Sequence, residues 1–262
     1  MKRRRDRQKG IFTAVMAVLL VLAVSVCIGQ VVGKYYLKNI SGYGVGQTVE
    51  KKKALKLKKI DYYCIEVASC TKQNTAVQLV DLLAEKELPV VVIGKQPFRV
   101  LLGFVNKSDK LQPLADSIII NGQKTTIYQG QINDESFKFD PQDLYAAQVV
   151  APFLGQISDC LEKSLSLFTN TDLNADHLPE IKKEYHILAN TVENIASQGQ
   201  SIDKGQTPDS YDKISSLTKR CQEWAKYLRA MGDESAAYEF LVCQQQALAL
   251  LEDYRALISG SK

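Results

Sequence analysis

The chain has 262 residues, 24% of them charged, and a formal net charge of +4. That length leaves room for one membrane segment and two modest domains. The positive sign is confined to the N-terminal part. Residues 1–33 hold six basic side chains against Asp6, residues 34–59 hold eight lysines against Glu50, and residues 60–262 are left with a net charge of −8. A folded region of that sign excludes nucleic acid as its expected partner.

Residues 1–10 form a basic tail, and the uncharged run Ile11–Val32 follows it directly. At 1.5 Å per residue this run spans roughly 33 Å as a helix, enough for a hydrocarbon core of about 30 Å. The basic cluster ahead of it keeps the N-terminus cytoplasmic and puts the rest of the chain outside. A cleaved signal peptide would end near Ala23-Val24-Ser25, but the apolar run continues beyond it. A lipoprotein box at Cys27 would need a small residue where Val26 stands. An uncleaved single-pass anchor is the expectation. Residues 33–59, with Gly42, Gly44, Gly46 and a lysine run, read as a basic flexible linker.

Residues 60–135 alternate between the two main periodicities. Tyr62–Cys70 is rich in β-branched and aromatic residues, and Ala76, Leu79, Val80 and Leu83 form a one-sided helical stripe. Pro89–Ile93 and Phe98–Val105 read as strands, Leu111, Leu114, Ala115 and Ile118 as a second stripe, and Thr125–Ile132 as a last strand. Two one-sided helices are expected to share one face of a four-stranded sheet and leave the other face open, as in the ferredoxin-like βαββαβ arrangement. Pleat alternation then places Tyr62, Cys64, Glu66 and Ala68 on the open face with Arg99, Leu101 and Gly103. Tyr63, Ile65, Val67, Phe98, Val100, Leu102 and Phe104 go to the helices. A flat face bearing Glu66, Arg99 and Leu101 suits a sugar strand, which needs polar partners for its hydroxyls and apolar ones for its ring faces.

The run Tyr63–Cys70, the helix opening Asn74-Thr75-Ala76 and the strand Phe98–Phe104 resemble a SPOR (sporulation-related) domain. The resemblance implies the same βαββαβ order and binding of peptidoglycan glycan strands stripped of stem peptides. It also implies a place at division septa or sporulation membranes. Carried onto the matching positions, it assigns glycan contacts to Glu66, Ser69, Arg99 and Ile127. Glu66 stands where the family usually has glutamine, which removes two donors and adds a charge able to pair with Arg99. Pleat parity sets Ser69 opposite Glu66 unless the strand bulges.

From Asp140-Pro141 onward, over residues 140–259, the apolar spacing becomes heptad-like. Leu144 to Phe168, Ile181 to Ile195, Ile214 to Met231 and Ala236 to Leu257 form four stripes, the signature of an antiparallel four-helix bundle. Such a bundle is a candidate surface for a protein partner. Cys221 and Cys243 flank Gly232 at equal distance on two of these stripes, so a disulfide is one reading of them and buried free thiols the plainer one. The two histidines, His177 and His186, belong to no metal or catalytic motif. Cys160 with His186 is the sole candidate nucleophile pair. The expectation is therefore an α+β, non-catalytic membrane protein with no cofactor and no metal. It recognises glycan through its sheet or, alternatively, serves as a scaffold that binds a protein through its bundle.

Overall fold

The computed structural model describes residues 53–56, 59–120, 122–132, 136–139, 143–171, 178–231 and 236–259. All belong to one compact unit, residues 51–262. The basic tail, the apolar run Ile11–Val32 and residues 33–52 of the expected linker lie outside the described residues. Among the described residues, no helix is long and apolar enough to cross a membrane.

The fold is α+β with an antiparallel sheet. In chain order, β1 (Lys53–Lys56) and β2 (Ile60–Cys70) lead to α1 (Gln73–Ala84), β3 (Val90–Ile93), β4 (Phe98–Val105) and α2 (Gln112–Ser117). A hairpin of β5 (Ile119–Ile120) and β6 (Gln123–Lys124) follows, then β7 (Thr126–Ile132) and β8 (Ser136–Phe139). The hairpin turns through Gly122 at φ +79°, the left-handed region that such a turn demands. Four strands pair antiparallel in the order β3-β4-β2-β7, the split βαβ connectivity. β1 and β8 pair in the register that β2 and β7 continue, from Lys53 opposite Phe139 to Glu66 opposite Thr126. Part of the lysine run expected in the linker is therefore a strand.

Two bulges decide which side chains share a face. Tyr63 pairs with Val105 and Ile65 with Leu102, so β4 carries an extra residue at Gly103–Phe104. Gly103 has φ +80°, a conformation that only glycine adopts without strain. Further along, Glu66 pairs with Leu101 and Ala68 with Val100, which leaves Val67 as the extra residue of β2. Pleat alternation alone would put Phe104 with Val100 and Leu102. The bulge instead sets it beside Tyr62 on the opposite side, with ring centroids 5.4 Å apart. Ala68 likewise leaves the side of Glu66 and joins Val100.

Ile65, Val100 and Leu102 are fully buried on the face that α1 and α2 cover. The other face, with Tyr62, Cys64, Leu101 and Phe104, is buried as well. Here the structure corrects the expectation of an open sheet. Its cover comes from the C-terminal helices α3 (Ala151–Asn170), α4 (Leu178–Gln200), α5 (Tyr211–Ala230) and α6 (Ala236–Ser259). The helical run into α3 passes through a π turn at Ala146–Val150 just ahead of Pro152, whose ring and missing N–H disfavour a regular α turn there. Each of the four helices packs against two others, and α3 and α6 also pack on β4, α6 reaching β3. The layers run α1/α2, sheet, α3/α6, α4/α5, and one continuous apolar core passes through them.

Aromatic rings join sheet to bundle: Phe104 meets Phe168 of α3 at 6.5 Å, and Phe168 meets Tyr185 of α4 at 6.1 Å and Phe240 of α6 at 6.0 Å. Three hydrogen bonds fix the docking. The Phe104 N–H donates to Gln244 Oε1 at 3.0 Å, the Asn106 N–H to Thr169 Oγ1 at 2.9 Å, and Gln245 Nε2 to the Val90 carbonyl at 3.0 Å. Burying one such aromatic side chain contributes about 1.5–3 kcal/mol, whereas a hydrogen bond contributes a net of about 0.5–1.5 kcal/mol. Apolar burial thus holds the layers together, and the polar pins select their registration.

Replacing Gln244 with leucine leaves the buried Phe104 N–H without an acceptor, at a cost of about 1–3 kcal/mol. Denaturant titration of Gln244→Leu is expected to show that loss. Gly103→Ala forces a side chain into the left-handed region at about 1–2 kcal/mol, and its Cβ would stand 3.0 Å from Leu111 Cδ2 and 3.4 Å from Gln244 Oε1.

Candidate functional site

One corner of the bundle-side sheet face escapes cover. It lies past the Val67 bulge, at the end of the sheet away from the Phe104–Phe168 contact. Pairing of Glu66 with both Leu101 and Thr126, and of Ser69 with Arg99, fixes its composition. Arg99 Nη1 donates to Glu66 Oε2 at 2.6 Å, and the guanidinium lies 5.1 Å from the centroid of the Tyr128 ring. The Arg99 side chain keeps 34% of its exposure and Glu66 16%, while Ser69 and Thr126 are exposed. The ion pair neutralises much of the charge that either group could offer a ligand. What remains is a shallow polar surface with one aromatic edge.

The expected site residues divide accordingly. Glu66 and Arg99 are together. Ser69 joins them, because the bulge at Val67 brings it back to their side of the strand. Leu101 does not: it is fully buried beneath the bundle. Ile127 pairs with Ile65, so it faces the α1/α2 side and packs against the core. Tyr128, which no motif singled out, takes the place expected of Ile127. Its signal was alternation along β7, readable only once the register with β2 is known.

The buried cysteines are chemically quiet. Cys221 and Cys243 are both free and buried, and no disulfide joins them. Cys221 has Cys160 of α3 as its neighbour, whereas Cys243 lies near Tyr185 and Glu239. Burial pushes the thiols of Cys160 and Cys243 up to about 12, and those of Cys64 and Cys221 upward as well. A nucleophilic thiol needs the opposite shift. His186 is half-buried, and its Nε2 lies 3.1 Å from the Arg229 carbonyl. Cys160 instead has Lys163 and Asp159 around it. Among the described residues, no group of three or more His, Cys, Asp and Glu side chains could hold a metal ion.

One carboxyl at the sheet–bundle junction is out of the ordinary. Glu252 of α6 has a buried Oε1 with no hydrogen-bond partner, and Arg255 Nη1 stands 3.8 Å away. Tyr62 and Cys64 of the sheet are its electrostatic neighbours. Burial raises its pKa above the ordinary 4.5. The folded state therefore holds the proton more tightly than the unfolded one, and stability falls as pH rises through the folded value. Glu252→Gln is expected to melt higher than the parent at neutral pH, with the two converging below pH 4.5.

Alkylation gives a second check. The denatured chain is expected to label at Cys221 and Cys243 without reductant, and reductant adds no further label.

Comparison with protein-family models, with curated proteins and with solved structures gave no match.

Proposed function

We propose that this chain is a non-catalytic, membrane-anchored interaction protein. Ile11–Val32 holds it by a single span, with the N-terminus cytoplasmic and the folded unit extracytoplasmic, and the bundle offers a protein partner its outer layer. The observation that carries this reading is the occupied sheet face. The surface that a SPOR-like, ferredoxin-like module would turn to a glycan strand is here filled by α3 and α6 and pinned by Gln244 to a backbone N–H. An extended sugar strand has no open sheet left to lie on. The layer farthest from the sheet, α4 and α5, faces solvent and exposes Ile187 and Tyr227.

A second reading rests on the Val67 bulge. By setting Ser69 beside Glu66, Arg99 and Tyr128, it leaves a polar and aromatic corner able to contact a sugar. This is the remnant on which recognition of denuded peptidoglycan at division or sporulation sites would depend.

Co-sedimentation of the protein with amidase-treated and untreated sacculi separates the two. The interaction reading expects no preference for treated walls and no effect of Arg99→Ala. A preference for treated walls that Arg99→Ala abolishes would put glycan recognition first. Photo-crosslinking from a probe at Tyr227 in cells is expected to capture a protein, with a yield unchanged by Arg99→Ala.

A further inference from the structure

The two edges of the sheet are finished differently. At the β3 edge, Gln245 of α6 donates to the Val90 carbonyl, and the bundle packs over β3 and β4. The other edge is β7, whose backbone partner among the described residues is β2. Alternate residues of an edge strand turn both N–H and C=O outward, and an edge meant to stay single carries lysine, proline or a bulge. Thr126–Ile132 contains no Asp, Glu, Lys, Arg or Pro, and it pairs with β2 without a register shift. Among the described residues the bundle packs chiefly on β3 and β4, with α6 also meeting β8, while α2 packs on β7 from the other face.

We propose that β7 pairs antiparallel with β7 of a second copy of this chain, joining two four-stranded sheets into one of eight strands. The strand is self-complementary about Gln129. A two-fold there sets Gln129 against its own copy, Tyr128 against Gly130 and Ile127 against Gln131. Gly130 has no side chain and lies under the Tyr62 ring, which fills the space a Cβ would take, so the incoming Tyr128 meets that ring as its aromatic neighbour. Aromatic–glycine cross-strand pairs of this kind offset the weakness of a strand glycine. No like charges meet along the seam. The exposed side chains Thr126, Gln129 and Gln131 are neutral, which makes the strand compatible with a copy of itself rather than with a charged peptide.

The test uses the full-length chain in detergent. Sedimentation velocity is expected to give a concentration-dependent dimer. Gln129→Lys, at an exposed position, puts two ammonium groups face to face on the axis and is expected to weaken the dimer several-fold. Gln129→Cys is expected to give a disulfide-linked dimer under mild oxidation, while Asp81→Cys on the outer surface of α1 gives none. A monomer at all concentrations, or a dimer indifferent to Gln129→Lys, overturns the proposal.

Discussion

A single backbone N–H organises the docking of the two halves of this fold. The Gly103–Phe104 bulge removes the Phe104 N–H from the β2–β4 ladder, and Gln244, itself 1% exposed, supplies the acceptor from the bundle. A buried amide left unpaired is costly, so the sheet is incomplete until α6 is in place. The same bulge turns the Phe104 ring toward Phe168. One local irregularity therefore provides both the polar and the apolar halves of the contact. Sheet and bundle share a core because neither finishes its own hydrogen bonding alone.

The second bulge shapes what is left exposed. Val67 restores Ser69 to the side of Glu66 at the point where the bundle no longer reaches. The Arg99–Glu66 pair then closes over the Tyr128 ring. Among the described residues, the corner is the part of the expected binding face that still meets solvent, and its two charges are already engaged with each other.

Much of this was legible in the residues. The six elements of the βαββαβ module and the four C-terminal helices follow from apolar periodicity. The facing of Tyr62, Cys64, Ile65, Arg99 and Leu101 follows from pleat parity. Parity failed at Phe104, Ala68 and Ser69, because a bulge adds one residue without any mark in the hydrophobic pattern. Gly103 was its one visible sign. The cover over Leu101 was illegible for another reason. The four stripes of the bundle account for a core of their own, and nothing in them says that α3 and α6 also carry a second apolar surface. The Gln244-Gln245-Gln246 run, polar residues on a buried helix, was the available hint. Ile127 failed because the register of the last strand is set by pairing and not by sequence.

The ribbon formed by β1 and β8 has a mechanical consequence. Lys53 and Phe139 lie at its outer end, so tension arriving from the residues ahead of Lys53 loads that pair first. Opening proceeds rung by rung, the weak direction of a two-stranded ladder, before any force reaches Ile60 and the four-stranded sheet. The short lysine-bearing strand is thus the first rung of the folded unit that a pull from its N-terminal side would open.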